Sequence, residues 1–287
     1  DPVSLLRILV TGANGMLGHD VVRAARFVNH EVVPLGREDV DVVDGPAVER
    51  AVMTERPNVV VNCAAYTRVD DAQDDLDGAM AVNADGARHV AAAAAAIGAG
   101  VIYPSTDYVF DGSKSSPYVE SDELRPLSVY AQSKAAGEHE TAASNPRHWI
   151  VRTSWLFGIG GRNFVETMLG LGRELDEVLV VRDQIGCPTY AGHFADALVQ
   201  LVEDDADYGL RHIAGGGQCS WYEFAEEIFK QANVDTRVLS CTTAEMPRPA
   251  PRPSYSVLGT EREDAIYLPD WREGLASYLA DRAAVSQ

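Results

Sequence analysis

Short apolar runs alternate with amphipathic stretches through the first half of the chain. Five apolar runs predict strands, at residues 6–10, 31–36, 58–64, 101–106 and 148–157. Four intervening stretches predict helices, at residues 16–27, 45–56, 76–97 and 129–143. The valines at 59–61 form a continuous apolar run, which is typical of a strand buried on both faces. Strands that alternate with helices predict an α/β fold, with a parallel sheet covered on both faces and right-handed crossovers.

The second half of the chain is less regular. Four stretches predict helices, at residues 163–175, 194–204, 221–232 and about 271–282. Two others, 178–190 and 210–216, predict short strands with loops. Ser220 and Glu223 have the spacing of a capping box at the start of the third of these helices. The proline-rich segment 246–255 predicts extended backbone, either as a linker or as an ordered loop under a substrate.

Length, composition and charge narrow the class of protein. The chain has 287 residues, of which 46% are hydrophobic, enough to fill one large domain or a larger domain with a smaller partner. No apolar run reaches the roughly 18 residues of a membrane-spanning helix, and the first ten residues lack the pattern of a signal peptide. Four scattered cysteines fit a reducing, cytoplasmic compartment. A net charge of −19 argues against nucleic acid and anionic membranes as partners.

Three glycines follow the first predicted strand and open the first predicted helix. Gly12, Gly15 and Gly18 form the pattern G-x-x-G-x-x-G. Such a turn lets the backbone approach a pyrophosphate, and the helix N-terminus offers that group free N–H donors. In this strand–turn–helix context, the pattern predicts a dinucleotide site of the Rossmann type.

The end of the second predicted strand bears on which nicotinamide cofactor is bound. Arg37 stands where NAD-preferring folds often carry an acidic residue, and an arginine there can hold the 2′-phosphate of NADPH. Glu38 and Asp39 follow directly, so NADPH is favoured only slightly over NADH. Ala64 and Ala65, after the third predicted strand, are small enough to lie along the cofactor, or else simply pack the sheet.

Tyr130 and Lys134 stand four residues apart, on one face of a predicted helix. A nearby ammonium lowers the pKa of a phenol, so Tyr130 can donate a proton to a carbonyl oxygen as hydride reaches the carbon. Thr106 and Asp107 follow the fourth predicted strand, at the end of the sheet where ligands bind, and the Thr106 hydroxyl can hold the carbonyl in register. Each pattern alone is common, but their order along the chain favours a reductase.

Segments that match a known family run along nearly the whole chain: VTGANGMLG, DVDVVD, VVNCAAYTRVDDAQ, AVNADGARHVA, YPSTDYVFDG, YAQSKAAGE, VRTSWLFG, NFVETML, VVRDQIGCPTYA, GGGQCSWYEFA and PRPSYSVL. On these segments the sequence resembles the extended short-chain dehydrogenases/reductases and, within them, the dTDP-4-dehydrorhamnose reductase family. The glycine and Tyr-x-x-x-Lys patterns are shared by a large superfamily. YPSTDYVFDG, RTSWLFG and DQIGCPTYA are much more specific.

The resemblance implies roles for individual residues. It implies Tyr130 as the proton donor, Lys134 as the residue that tunes it and Thr106 as the partner of the carbonyl. The matching cofactor contacts are Gly15, Met16, Leu17, Asp41, Val42, Ala64, Ala65 and Tyr66. The reasoning above adds Gly12, Gly18 and Arg37, and it adds Tyr130 and Lys134, since the lysine can also hydrogen-bond the nicotinamide ribose. The matching substrate contacts are Asp107, Trp155, Asn163 and Arg252. Taken by itself, Trp155 is equally an ordinary core aromatic.

The resemblance also implies a reaction, the reduction of the 4-keto group of dTDP-4-dehydro-β-L-rhamnose by NADPH or NADH. Two alternatives stay open: a 4-ketoreductase for another dTDP-deoxysugar, and a non-catalytic regulatory subunit with the same fold. An NAD(P)-binding Rossmann domain over 1–153, rejoined at about 178–215, would face a smaller, mainly nucleotide-sugar substrate domain over 154–287. Some members bridge a dimer through magnesium and glutamates, but Asp20 and Gly192-His193 stand at those positions here. We therefore expect no metal site, and leave a homodimer open.

Overall fold

The computed structural model describes residues 5–285, in which strands and helices alternate. In chain order, strands β1 to β12 span Arg7–Thr11, Glu31–Leu35, Val59–Asn62, Gly100–Thr106, His148–Thr153, Leu156–Phe157, Glu177–Val181, Ile185–Gly186, Thr189–Tyr190, Gly209–His212, Cys219–Ser220 and Arg237–Cys241. Helices α1 to α9 span Met16–Phe27, Gly45–Glu55, Leu76–Met80, Gly86–Ala96, Val129–Ser144, Phe164–Glu174, Ala191–Glu203, Trp221–Ala232 and Trp271–Val285. Residues 1–4, on which the expected lack of a signal peptide partly rests, lie outside the described residues.

Six parallel strands form the central sheet, in the order β10-β5-β4-β3-β1-β2. Apolar side chains of α1 and α7 cover one face, and those of α2 and α4 cover the other. Every residue of β3 and β4 is buried, because these strands lie inside the sheet with helices on both sides. The predicted α/β, Rossmann-type doubly wound sheet is confirmed. Although β10 and α7 come late in the chain, β10 pairs with β5 and α7 packs on α1.

A second apolar core lies among α6, β7, α8 and α9. The predicted capping box at the start of α8 is confirmed: Ser220 Oγ accepts from the Glu223 N–H at 3.0 Å, and the Ser220 N–H donates to the Glu223 carboxylate at 2.7 Å. Strand β12, which pairs in parallel with β7, was not predicted from the sequence. Its residues are mostly exposed, so no apolar run marks it.

Two predicted elements are interrupted in the structure. The strand predicted over 148–157 ends at Thr153 and resumes at Leu156. Trp155, in the gap, has a φ of +48°, a left-handed conformation that bulky residues rarely adopt. The helix predicted over 76–97 contains a π-helical segment, Ala81–Asp85, between α3 and α4.

The π-helical segment turns Asn83 inward. The Asn83 side chain accepts from the Tyr66 N–H at 2.9 Å, and it donates to the Tyr66 carbonyl and to the Ser133 hydroxyl, both at 2.9 Å. It therefore ties the loop after β3 to α5. π-helical turns of this kind often mark functional regions, and the alanine-rich sequence around this one gives no sign of it.

The four cysteines are free, and burial raises the pKa of the Cys63 thiol to about 12. Within residues 5–285, no helix is long and apolar enough to cross a membrane. No group of three or more His, Cys, Asp or Glu side chains in the same range is arranged to hold a metal ion.

Helix α5 lies so close to β4 that residue 137 has no room for a side chain. A Cβ at Gly137 would overlap the Asn83 carbonyl oxygen and the Tyr103 hydroxyl. The same hydroxyl donates to the Asn83 carbonyl at 3.0 Å. The helix that carries Tyr130 and Lys134 is thereby held directly on the strand that ends at Thr106.

We expect Gly137→Ala to lower the free energy of unfolding by about 3 kcal/mol or more, because backbone and a buried ring would have to move. Urea unfolding followed by circular dichroism measures this change. The matched control is Gly170→Ala in α6, where the nearest atom to an added Cβ is the end of the Arg173 side chain, 3.9 Å away. That control should gain about 0.5–1 kcal/mol. Equal effects at the two positions would contradict the close contact.

Candidate active site

A cavity of about 610 Å³ opens at the carboxyl ends of β3, β4 and β5. Its wall includes nine of the predicted site residues, Gly15, Met16, Leu17, Ala65, Thr106, Asp107, Tyr130, Lys134 and Trp155. Nine others lie outside the wall, namely Gly12, Gly18, Arg37, Asp41, Val42, Ala64, Tyr66, Asn163 and Arg252. The cavity thus joins the glycine turn to the Tyr-x-x-x-Lys helix.

The glycine turn is packed so closely that side chains are excluded from two of its positions. Gly12 has a φ of +59°, and a Cβ on it would lie 2.6 Å from the Ala64 backbone nitrogen. A Cβ on Gly18 would overlap the Gly12 carbonyl oxygen. Helix α1 begins directly after Gly15 with no side-chain cap, which leaves its first N–H groups available to an anion. This cradle fits the pyrophosphate of a dinucleotide cofactor.

The end of β2 carries charges of both signs. The exposed Arg37 side chain pairs with Asp41, with 3.4 Å between Nε and Oδ2. Glu38 accepts from the Asn14 side-chain amide at 2.6 Å, which holds its carboxylate against the glycine turn. Val42 is buried under the start of α4, where a Cβ on Gly86 would meet it at 2.7 Å. Arg37 and Glu38 therefore both lie near the expected position of the adenosine ribose.

Thr106 and Asp107 form a hydrogen-bonded corner at the end of β4. The Thr106 hydroxyl accepts from the Tyr108 N–H at 3.1 Å and donates to Asp107 Oδ1 at 3.3 Å. The other Asp107 oxygen accepts from the Ser256 hydroxyl at 2.6 Å. Burial raises the pKa of Asp107 to about 7, although the hydrogen bonds from Ser256 and Thr106 oppose this rise. Near neutral pH, Asp107 can therefore either accept or donate a hydrogen bond.

Tyr130 lies in the first turn of α5, within hydrogen-bonding reach of Thr106. Burial raises the pKa of Tyr130 to about 12, the Asp107 carboxylate adds to the rise, and the hydrogen bond with Thr106 opposes it. The Tyr-x-x-x-Lys spacing predicts instead that Lys134 lowers this pKa. The structure gives the opposite direction because desolvation of the phenolate dominates.

Lys134 is buried and its amine is directed at β4. Nζ donates to the Pro104 carbonyl at 2.7 Å and lies 4.2 Å from the centroid of the Tyr103 ring. Burial lowers the pKa of Lys134 to about 8, and the Glu138 and Cys63 side chains oppose this fall. The ammonium form therefore persists at neutral pH.

Two tryptophans form an aromatic part of the cavity wall. The rings of Trp155 and Trp221 are stacked, with centroids 3.6 Å apart and planes 8° from parallel. Trp155 also packs on Gly186, where a Cβ would lie 2.5 Å from the indole. The sequence does not mark Trp221 as a site residue, because its segment predicts only the start of a capped helix.

Two predicted substrate contacts, Arg252 and Asn163, do not line the cavity. Arg252 is hydrogen-bonded to Asp70 at 2.5 Å and also to Tyr108, which does line the cavity. The proline-rich segment is therefore an ordered loop tied to the loop after β3, and not a linker. Asn163 caps α6, where it accepts from the Glu166 N–H at 3.0 Å. It is also hydrogen-bonded to Tyr278 of α9, and the structure does not bring it to the cavity.

Two arginines that the sequence analysis missed line the cavity, although the chain has a net charge of −19. Arg68 pairs with Asp71 at 3.0 Å and lies 4.4 Å from the centroid of the Tyr66 ring. The exposed Arg162 has no hydrogen-bond or ion-pair partner within residues 5–285. A cluster of positive charges at one cavity of an acidic chain would mark these arginines as site residues. The sequence does not show that cluster, because only the fold brings Arg68 and Arg162 together.

The parallel sheet, the glycine turn and the Tyr130–Lys134 pair at one cavity define the class of short-chain dehydrogenases/reductases. A family model described as the RmlD substrate binding domain matches residues 6–284. The chain belongs to this family.

Three relatives align with nearly the whole chain. SpsK, a spore coat polysaccharide biosynthesis protein of Bacillus subtilis (strain 168), is 40% identical over 98% of this chain and 99% of its own. A dTDP-4-dehydrorhamnose reductase of Mycolicibacterium smegmatis is 41% identical over 96% of this chain and 85% of its own. A probable dTDP-4,6-dihydroxy-2-methyloxan-3-one 4-ketoreductase of Streptomyces antibioticus is 39% identical over 96% of this chain and 95% of its own.

Solved structures of similar proteins share the complete fold. The dTDP-4-dehydrorhamnose reductase of Clostridium acetobutylicum superposes with a TM-score of 0.94 at 43% identity, covering 97% of this chain and 100% of its own. The dTDP-4-dehydrorhamnose reductase of Bacillus anthracis, in complex with NADP, superposes with a TM-score of 0.93 at 38% identity and the same coverage.

We expect Asp107→Asn to stabilise the protein more at pH 8 than at pH 5. Unfolded Asp ionises near pH 4 and folded Asp107 near pH 7, so the native state binds more protons between these values and its stability falls as the pH rises. Above about pH 7, the destabilisation caused by the buried carboxylate is fully present. Between pH 5 and pH 8, the stability advantage of Asp107→Asn over the wild type should therefore grow by about 1–3 kcal/mol. Chemical denaturation at both values measures it.

The control for this prediction is Asp111→Asn. Backbone and side-chain hydrogen bonds from Ser113 lower the pKa of Asp111, so the loss of its charge should bring no advantage at pH 8. A pH-independent effect of Asp107→Asn would contradict the raised pKa.

Proposed function

We propose that the protein reduces the 4-keto group of dTDP-4-dehydro-β-L-rhamnose to give dTDP-L-rhamnose, with NADPH as the cofactor. The observation that carries this proposal is the meeting of Thr106, Tyr130 and Lys134 in one cavity wall beside the glycine turn. The substrate is suggested by the relatives in Mycolicibacterium smegmatis and Clostridium acetobutylicum, both named dTDP-4-dehydrorhamnose reductase.

The cofactor would lie along the glycine turn and supply the hydride. The cradle at Gly12 and the open start of α1 suit its pyrophosphate. Arg37 offers a guanidinium to a 2′-phosphate, and the NADP complex of the Bacillus anthracis relative favours the same cofactor. The Glu38 carboxylate suits a free ribose hydroxyl instead, which supports NADH as a second cofactor.

Tyr130 would donate its phenolic proton to the ketone oxygen, to which the Thr106 hydroxyl also hydrogen-bonds. The raised pKa keeps Tyr130 protonated near neutral pH, so the proton is present before reduction begins. The Lys134 ammonium stabilises the phenolate that remains. Since Lys134 is buried and Tyr130 is half-buried, this stabilisation is stronger than it would be at the surface.

The sugar nucleotide would occupy the rest of the cavity. The stacked Trp155 and Trp221 offer a flat apolar surface to the sugar ring, and Asp107 a hydrogen bond to one of its hydroxyls. Arg162, which is exposed, suits the diphosphate. We infer that residues 154–287 mainly form the substrate domain, and that residues 1–153 with about 178–215 form the cofactor domain. Arg252 would act on this wall through Tyr108.

We also propose a cytoplasmic location, supported by four free cysteines, and keep the homodimer as a proposal. Sedimentation velocity at micromolar concentration tests the dimer. Fractionation of cells that express the full-length protein tests the location. Neither proposal is needed for the reaction.

The deciding experiment supplies freshly made dTDP-4-dehydro-L-rhamnose with NADPH or NADH and follows the absorbance of the reduced nicotinamide. We expect rapid oxidation of NADPH, with dTDP-L-rhamnose as the product identified by NMR. Omitting the sugar nucleotide is the control. If neither cofactor is oxidised although NADPH binds, this substrate is wrong.

Tyr130→Phe should lower kcat/KM by about 10³-fold, since the ketone oxygen loses its proton donor. The dissociation constant for NADPH, measured by calorimetry, should stay within about twofold of the wild-type value, because one neutral hydrogen-bonding group contributes little to cofactor binding. Tyr208→Phe is the matched control, because Tyr208 is exposed at the other end of the sheet beside Trp149. Equal losses of turnover and cofactor binding in Tyr130→Phe would contradict the assigned role.

A second candidate function is the reduction of a different dTDP-deoxysugar ketone. The Streptomyces antibioticus relative, which is named as a probable 4-ketoreductase of this kind, is nearly as similar to the chain as the dTDP-4-dehydrorhamnose reductase of Mycolicibacterium smegmatis. Comparison of kcat/KM for the two ketosugars separates the candidates. A preference of tenfold or more, equal to about 1.4 kcal/mol, would decide between them.

A further inference from the structure

Helix α5 carries a buried carboxylate one helical turn beyond Lys134. Glu138 is 6% exposed and continues the row of Tyr130 and Lys134 along the helix. It accepts from the Ser105 hydroxyl at 2.5 Å, and Arg152 donates to both of its oxygens, at 2.9 and 2.8 Å. Ser105 and Arg152 each precede the last residue of their strand. This one side chain therefore joins α5 to the ends of β4 and β5.

Glu138 is the counter-charge of the buried Arg152, because the other polar neighbour of Arg152 is neutral. Arg152 is 2% exposed, and its Nη1 lies 3.2 Å from His212 Nε2. His212 Nδ1 lies 2.8 Å from the Gly259 carbonyl, so Nδ1 carries the proton and Nε2 accepts. Burial and the Arg152 charge lower the pKa of His212, which keeps the imidazole neutral. The negative charge that balances the buried Arg152 guanidinium is therefore the carboxylate of Glu138.

Lys134 keeps its proton at neutral pH by a narrow margin. The groups that face it are Cys63 after β3, Tyr103 and Pro104 of β4, and Tyr130 and Glu138 of α5. Beyond these lie Asp107, next to Tyr130, and Arg152 of β5, behind Glu138. Burial lowers the pKa of Lys134 to about 8 even with the carboxylate of Glu138 nearby. Since the Cys63 thiol stays protonated at this pH, Glu138 is the anion that supports the ammonium.

We propose that Glu138 is a positioning residue for this reaction, because it keeps Lys134 charged and holds α5 against the ends of β4 and β5. The inference rests on the proposed reduction, in which the Lys134 ammonium stabilises the Tyr130 phenolate. A neutral amide at position 138 keeps the shape of the side chain but removes the charge. A purely structural role for Glu138 would leave the titration of Lys134 unchanged.

Direct titration of Lys134 tests the electrostatic part. The chain has three lysines, Lys114, Lys134 and Lys230, so protein labelled with ¹³C at the lysine ε-carbon gives three signals. Substitution of the other two by arginine assigns the Lys134 signal. We expect its midpoint to fall by about one pH unit or more in Glu138→Gln. An unchanged midpoint overturns the proposal.

The matched control is Glu140→Gln, the same change two residues further along α5. Glu140 faces Arg88 across 3.8 Å at a partly exposed position, away from the buried row. It should leave the midpoint of Lys134 where it is in the wild type. A fall as large as that of Glu138→Gln would assign the effect to the net charge of the helix and overturn the specific role.

The pH profile of kcat/KM tests the link to the reaction. Activity that needs the ammonium is present at low pH and is lost as the pH rises through the pKa of Lys134. In Glu138→Gln, the pH at which kcat/KM falls should decrease by as much as the midpoint of the Lys134 titration. This fall on the alkaline side of the profile is the alkaline limb. At about pH 8 the variant should be slower than the wild type by about fivefold or more, and at about pH 6.5 the loss should be smaller. A limb that stays in place overturns the catalytic part.

Glu138→Gln leaves a buried guanidinium without its carboxylate and can fail to fold for that reason. The variant Glu138→Gln/Arg152→Met removes both charges together. It should fold, and its Lys134 midpoint should still be low, because no carboxylate faces the ammonium. A wild-type midpoint in this variant overturns the proposal. If the wild-type protein reduces no dTDP-ketosugar, the proposed function fails, whereas the lysine titration still decides what Glu138 does.

Discussion

Where α5 crosses β4, the helix presents a glycine and the strand presents a tyrosine, and the Tyr103 hydroxyl reaches the Asn83 carbonyl. No other helical residue fits at position 137 without displacing backbone. The Lys134 amine reaches the Pro104 carbonyl of the same strand only because the two elements lie this close. The π-helical turn belongs to the same arrangement, since it delivers Asn83 to the contact. The position of this one helix therefore sets where Tyr130 and Lys134 lie in the cavity wall.

The cavity carries local positive charge, although the chain as a whole is acidic. A net charge of −19 repels a nucleotide diphosphate at long range, although salt screens that repulsion beyond about 10 Å. Arg68 and Arg162 at the cavity and Lys134 within it provide local positive charge where an anion would bind. The acidic surface and a site for an anionic ligand are therefore compatible, because at short range the nearest charges dominate.

Local signals predicted much of this architecture. The capping box of Ser220 and Glu223 marked the start of α8 correctly, because a cap depends on neighbours in sequence. The π-helical turn and the left-handed Trp155 were missed, since each is imposed by contacts with distant segments. The wall residue Trp221, at the first position of α8, was also missed. Arg252 was predicted as a direct substrate contact, but it is turned toward Asp70 by an ion pair that spacing alone does not reveal.

The stacked indoles of Trp155 and Trp221 have a spectroscopic consequence. Rings at this separation couple their electronic transitions, which produces an exciton signal in circular dichroism. The chain has only two other tryptophans, Trp149 and Trp271, and both are buried away from the cavity wall. Indole emission overlaps the absorption of a reduced nicotinamide, so excitation energy would pass from this pair to a cofactor in the cavity. The fluorescence of this tryptophan pair would therefore report cofactor binding in the cavity without an added label.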